Sequence, residues 1–285
     1  MKSHAQSFDP RQIMQTNTFE VFHYQEPRPG SVDVHHHDFY EVYYLLSGQV
    51  EYWVDGRVIA MQPGDLLLIN PMELHHPIIH SNSTSYERIV LWINKAFLEQ
   101  LGDGLSRCFD LSLPNRLCPA HVDRPALQAL THELVEEYYS DEPGSHLCAQ
   151  GLFLQLMVKL NRLALRQRRQ ATSNDNLSAL VQTAIDYVRD HIGEPLSLDQ
   201  IAGQLFVSKY HLSHTFRKET GVSLYRYIML RRLLLARQQL SAGLSAGQVC
   251  QNCGFADYTS FYRAFRAEYG TNPKEYSLQA SQKAD

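Results

Sequence analysis

Residues 201–227 read IAGQLFVSKYHLSHTFRKETGVSLYRY, and residues 249–276 read VCQNCGFADYTSFYRAFRAEYGTNPKEY. One pattern is written twice. An offset of 48 aligns Ile201 with Val249, Ala202 with Cys250 and Val207 with Phe255. One extra residue in the turn makes the offset 49, which aligns Leu212 with Phe261, Phe216 with Phe265, Arg217 with Arg266 and Gly221 with Gly270. Each copy predicts a short helix, a tight turn and a second helix, over 201–221 and 249–270. Ser208 and Asp257 stand where a side-chain oxygen caps the second helix. Leu212 and Phe216, then Phe261 and Phe265, are four apart and anchor that helix inward.

This is the layout of a helix-turn-helix, whose second helix enters the major groove and reads base edges. The outward residues of the two second helices are Lys209, Tyr210, His211, Ser213, His214 and Arg217, then Tyr258, Thr259, Ser260, Tyr262, Arg263 and Arg266. They are rich in donors and hold no carboxylate, as a surface facing phosphates and base edges requires. Between the copies, residues 224–240 predict one continuous helix about 25 Å long, a spacer suited to setting two reading helices about one DNA turn apart. Cys250 and Cys253 have redox or zinc spacing, yet they fall on the buried face of the motif's first helix and read as core thiols.

Charge supports the same division of labour. The whole chain of 285 residues has a net charge of −4, but residues 1–140 carry −9 and residues 201–276 carry +6. Such a contrast suggests that only the later part meets a polyanion. An apolar content of 44% and a charged content of 20% exclude a disordered or collagen-like chain. The most apolar run, residues 151–165, is broken by Gln155, Lys159, Asn161 and Arg162, too polar for a bilayer span. Residues 1–12 are polar, without the apolar core of a signal peptide, and the five cysteines are an odd number. Both point to a reducing compartment, so the expectation is a cytoplasmic protein with no membrane partner.

The carboxyl-terminal pattern resembles the DNA-binding domain of the AraC/XylS family of bacterial transcription regulators. The resemblance spans 177–278 and is carried mainly by Gly254-Phe255-Ala256-Asp257 with Phe261, Arg263, Phe265, Gly270, Pro273 and Tyr276. Ser277 stands where the family often has an arginine after that tyrosine, so the resemblance implies no phosphate contact from an arginine there. The resemblance implies double-stranded DNA and RNA polymerase as partners.

Upstream, from about residue 19 to 93, short apolar runs alternate with turn residues. Asp55-Gly56 between two β-prone runs is a hairpin signal, and strands at this spacing predict a barrel or jelly roll. Residues 95–105, 125–139 and 145–169 then have helical spacing. The last is apolar on more than one face, so one side is expected on the barrel and the other in a homodimer contact. The expected fold is therefore α+β and multidomain: a barrel or jelly roll over 1–110, which resembles the cupin fold in the histidine pattern described next, a helical dimerisation segment over 111–165, a linker over 166–176 and an all-α domain with two helix-turn-helix motifs over 177–278.

Six of the fourteen histidines lie between 35 and 80. Strand alternation is expected to point His35, His37 and Glu41 one way, with His75 following downstream. The set resembles the metal-holding residues of the cupin fold, and three imidazoles with a carboxylate suit a divalent transition metal, admitted here but not required. The primary expectation is an effector pocket in which His35, His37, Glu41, Tyr43 and His75 hydrogen-bond a small hydroxyl-rich molecule; the resemblance to AraC-type regulators with this kind of sensing domain implies a sugar or glycoside. Tyr52, Trp53 and Trp92 would supply aromatic faces, while His36 and His76 alternate away. The function expected is a DNA-binding regulator, activator type, without catalytic residues. Two alternatives stay open: a metal-dependent cupin enzyme fused to a DNA-binding tail, and a constitutive regulator whose barrel is structural.

Overall fold

The computed structural model describes residues 13–26, 32–71, 73–78, 86–102, 104–111, 113–168 and 178–282. Residues 1–12, His80 and most of the expected linker (169–176) lie outside these. The chain divides into two compact units, Met1–Asp175 and Asn176–Asp285.

The first unit holds two antiparallel sheets. Strands β1 (Phe19–Glu26), β2 (Tyr40–Ser47), β5 (Leu66–Ile69), β7 (Tyr86–Ile93) and β8 (Arg116–Leu117) form one, in the order β1-β7-β2-β5-β8. Strands β3 (Val50–Val54), β4 (Arg57–Met61) and β6 (His75–Ile78) form the other, in the order β4-β3-β6. Asp55 and Gly56 have φ of +42° and +94°, so the β3–β4 turn uses the left-handed backbone that fits the twist of the strands it joins.

Alternation divides the larger sheet into two buried faces. Tyr43, Leu45, Leu67, Ile69, Val90 and Trp92 face the second sheet and pack with Tyr52, Val54, Ile59 and Met61. Their neighbours Val42, Tyr44, Leu66, Leu68, Ile89 and Leu91 face the other way, onto helices α2 (Arg124–Tyr138) and α3 (Ser145–Arg168). Burial on both faces explains why these strands read as unbroken apolar runs. Phe153 of α3 stacks on Phe19 of β1, with ring centroids 4.4 Å apart.

Three expectations need correction. The larger sheet runs past the barrel boundary expected at 110, because β8 pairs with β5 inside the segment expected to be helical. The helix expected over 95–105 stops early: α1 is Lys95–Gln100, and Gly102 and Gly104, at φ of +72° and +65°, turn the chain into a short 3-10 turn at Arg107–Phe109. The strand expected to carry His35, His37 and Glu41 together begins only at Tyr40. His35 instead forms an isolated bridge with His75.

The second unit is helical: α4 (Ala179–Asp190), α5 (Leu198–Gln204), α6 (Lys209–Thr220), α7 (Leu224–Ser241), α8 (Ala246–Asn252), α9 (Tyr258–Tyr269) and α10 (Pro273–Gln282). The repeat is visible in the caps. Ser197 and Ser245 each close a capping box with the glutamine three residues on, Gln200 and Gln248. Gly221 and Gly270 end α6 and α9 in the left-handed conformation, at φ of +76° and +70°. The spacer α7 has 18 residues, about 27 Å of helix.

Candidate nucleic-acid interface and effector site

Helices α6 and α9 are built alike from their caps upward. The Ser208 hydroxyl accepts the His211 amide at 3.2 Å, and the Asp257 carboxylate accepts the Ser260 amide and hydroxyl, each at 2.8 Å. Those bonds hold the Asp257 carboxyl below the usual carboxylate range. Leu212, Phe216, Phe261 and Phe265 are fully buried and orient the two helices. The opposite faces point to solvent. Lys209, Tyr210, His211, His214 and Arg217 are exposed on α6, as are Tyr258, Thr259, Ser260, Arg263 and Arg266 on α9, while Ser213 and Tyr262 are half-buried. The Tyr210 and His214 rings lie nearly parallel, 5.9 Å apart.

The expectation of a face without carboxylates is modified at one corner. Asp199 of α5 reaches the Lys209 ammonium at 2.8 Å. Cys250 and Cys253 are buried with Val249, Phe261 and Phe265. Burial pushes the Cys253 thiol up to about 12, so this pair is inert core.

In the first unit the structure brings His37, Glu41 and His75 together, with one ligand atom from each within 4.8 Å of the others. Three elements meet here: the segment before β2, β2 itself and the start of β6. Each histidine is oriented by its own backbone. Nδ1 of His37 lies 2.8 Å from the Phe39 carbonyl, Nδ1 of His75 lies 2.9 Å from that of Glu73, and Nδ1 of His35 lies 2.9 Å from that of Asp33. A carbonyl only accepts, so each Nδ1 carries the proton. In the neutral ring, Nε2 then presents a lone pair, the arrangement that second-shell bonds impose on metal-ligating histidines.

His75 is 1% exposed, and its Nε2 has no hydrogen-bond partner among the described residues. Burial, then the adjacent His35 and His37 rings, push His75 well below the usual imidazole range, so it is neutral at physiological pH. Nε2 of His37 stands 3.2 Å from a Glu41 oxygen that also accepts the Trp92 indole N–H at 3.0 Å. A lone pair and a carboxylate at that distance require a proton or a cation between them. His35 stands beside this triad, its ring 4.2 Å from that of His75 and 6.2 Å from that of His37.

The aromatic wall is adjacent. Trp92 packs against Phe22 and Phe39, at 4.7 and 4.8 Å. The Tyr43 hydroxyl, buried, donates to that of Tyr86 at 2.6 Å. Burial pushes the Tyr43 and Tyr52 hydroxyls well above the usual phenol range. Trp53 departs from expectation: it lies outside the cluster that contains Tyr52 and meets His76 at 5.9 Å. His36 and His76 are buried as well.

Sequence reasoning missed Arg88, whose guanidinium lies 4.8 Å from the Tyr24 ring centre and 4.4 Å from that of Tyr86. The signal was present: residues 86, 88, 90 and 92 of β7 share one face, so an inward Trp92 places Arg88 inward as well.

Comparison with known proteins follows the same division. Residues 18–157 match the family described as AraC-like ligand binding domain, and residues 201–279 match a helix-turn-helix domain. The HTH-type transcriptional activator RhaS of Escherichia fergusonii is 27% identical over 283 residues, covering 96% of each chain. RhaS of Klebsiella pneumoniae is 26% identical, covering 88% of this chain and 90% of that one. A solved structure of a transcriptional regulator with an AraC-type DNA-binding domain, from Chromobacterium violaceum, is 31% identical, covering 36% of this chain and 93% of that one, with a TM-score of 0.33. No helix among the described residues is long and apolar enough to cross a membrane.

Proposed function

Because the chain belongs to the AraC/XylS family of transcription regulators, we propose that it is a cytoplasmic, sugar-responsive activator that binds double-stranded DNA through α6 and α9. The observation that carries the reading is the pair of matched reading helices, each anchored by two buried apolar side chains and turning its polar face to solvent. Arg263 and His214 are assigned to base edges. Alanine at either is expected to cost about 1–3 kcal/mol of specific binding, measured by gel-shift titration of the full chain on a duplex selected from a random pool. Unchanged affinity for both variants removes the assignment.

The effector is assigned to the interior between the two sheets, where a hydroxyl-rich molecule meets His75 and Glu41 on one side and the faces of Trp92 and Phe22 on another. Its binding shifts transcription only through different affinities for the active and inactive states. RNA polymerase is the partner of an activator. A catalytic role is not part of this reading.

The lone pairs presented by His37 and His75, with the Glu41 carboxylate, also fit a divalent transition metal. Bound there, the metal would supply Lewis acidity toward an effector hydroxyl. The chain's own part is to hold the two imidazoles by their Nδ1–H bonds and to keep Glu41 aimed by the Trp92 indole. A panel of monosaccharides and glycosides in thermal-shift assays tests the effector assignment, with Glu41→Gln as the variant expected to lose the shift. Elemental analysis of purified protein and repetition after chelation separate direct sugar binding from binding through a metal. No shift with any sugar would defeat the sensor reading.

A homodimer through the outer face of α3 completes the proposal. Leu147, Gly151, Leu154 and Leu165 are exposed along that face, alternating four and three apart at the first steps, the spacing of a helix-pairing seam.

A further inference from the structure

Phe206 sits in the turn between α5 and α6 with φ of +55° and its side chain 95% exposed. The matching position in the second motif is Gly254, at φ of +71°. The two turns are one backbone structure. The Phe206 amide donates to the Gly203 carbonyl at 3.2 Å, as that of Gly254 does to Gln251 at 3.2 Å. The Val207 amide donates to Ala202 at 3.0 Å, as that of Phe255 does to Cys250 at 3.3 Å. Glycine adopts this backbone without strain, whereas a bulky residue there is an outlier. The ring returns nothing to folding, because it is not buried. A strained backbone that carries an exposed aromatic points to a use outside the fold.

Position says what that use is. Phe206 lies two residues before the Ser208 cap, at the end of α6 whose first residues meet base edges in this motif. Tyr210, 80% exposed, stands four residues further on, and Lys209, His211, His214 and Arg217 continue the exposed face. The surrounding segment has a net charge of +6, complementary to a polyanion. The second turn has no room for such a side chain: a Cβ on Gly254 would lie 2.7 Å from the Ile192 carbonyl oxygen.

We propose that Phe206 is a specificity-determining contact to DNA, its ring packing on the 5-methyl group of a thymine at the edge of the groove that α6 reads. Apolar side chains read that methyl in the major groove. The second motif, with Gly254, lacks the contact, so the two half-sites differ and the DNA site has a direction. The inference rests on the DNA-binding reading of α6.

The test is in vitro selection from a randomised duplex pool with the full-length wild-type chain and with Phe206→Gly. Wild type is expected to enrich thymine at one position flanking its first half-site, and Phe206→Gly to lose that preference while keeping the rest. Replacing that thymine by deoxyuridine, which lacks the methyl, should weaken wild type about fourfold, the equivalent of about 0.8 kcal/mol for one buried methyl. It should leave Phe206→Gly unchanged. The variant should melt at or above the wild-type temperature, which excludes unfolding as the cause of any loss. Retention of every preference by the variant, equal sensitivity of both proteins to deoxyuridine, or a lower melting temperature for the variant overturns the inference. Failure of the wild type to enrich any sequence overturns the DNA-binding reading instead, and is seen separately.

Discussion

Replacing Gly254 by alanine is expected to cost about 3–5 kcal/mol, and the structure separates the parts of that figure. Gly254 has φ of +71°, where an L residue pays about 1–2 kcal/mol. An added Cβ would also meet the carbonyl oxygens of Ile192 and Glu194 at 2.7 and 2.9 Å and the Arg232 guanidinium at 2.9 Å. Two of these are backbone, so relief requires the α4–α5 loop to move. The third is the buried Arg232 side chain, which donates to those same carbonyls at 3.3 and 2.6 Å. Losing hydrogen bonds to a charged group adds about 1.5–3 kcal/mol. Gly270→Ala is the control. Its φ is +70°, and its Cβ would meet nothing within 4 Å, so about 1–2 kcal/mol is expected from the backbone alone. Urea unfolding followed by far-ultraviolet circular dichroism reads mainly the second unit, which holds seven of the ten α-helices among the described residues. Both tryptophans, Trp53 and Trp92, lie in the first unit, so their fluorescence midpoint should stay in place for both variants. Equal losses for Gly254→Ala and Gly270→Ala would refute the claim that Gly254 is required for close approach as well as for its backbone angle.

Asp65, buried at the start of β5, is bound by Arg116 at 3.0 Å and approached by Arg124 at 3.6 Å. Asp65→Ala should destabilise the first unit by about 3 kcal/mol, and the tryptophan midpoint should move where it did not for Gly254→Ala. Among the thiols, exposed Cys148 should react with a thiol reagent in the native protein. Buried Cys108 and Cys253, both pushed up to about 12, should react only on unfolding; fast native labelling of Cys253 would contradict the core assignment. Leu154→Glu, on the outer face of α3, should convert a dimer to a monomer in light scattering at micromolar concentration, with the melting temperature unchanged. A wild-type chain that is already monomeric at that concentration would remove the dimer proposal.

The second unit was legible because its signals are local. The caps Ser208 and Asp257, the inward pairs Leu212/Phe216 and Phe261/Phe265, and the terminal glycines Gly221 and Gly270 lie within one or two helical turns of what they act on. The first unit was legible only in outline. The Asp55-Gly56 hairpin is equally local. The strand expected beneath His35 and His37 begins only at Tyr40, although the residues expected to converge there do so. His37 and Glu41 converge through a bend that spacing alone does not reveal.

What the residues alone determined, then, is everything written in neighbour spacing: the duplicated motif, its solvent-facing donors, the strand-rich character upstream and the charge contrast between the two parts. Tertiary structure alone decided which distant residues meet. His75 reaches His37 and Glu41 because β6 pairs with β3 across the second sheet, and Arg88 faces Tyr24 because β7 lies between β1 and β2. Gly254 is walled in by a loop some sixty residues earlier in the chain. Strand pairing and loop closure are set by the burial of whole faces, a property of the folded ensemble of contacts that no window along the chain contains.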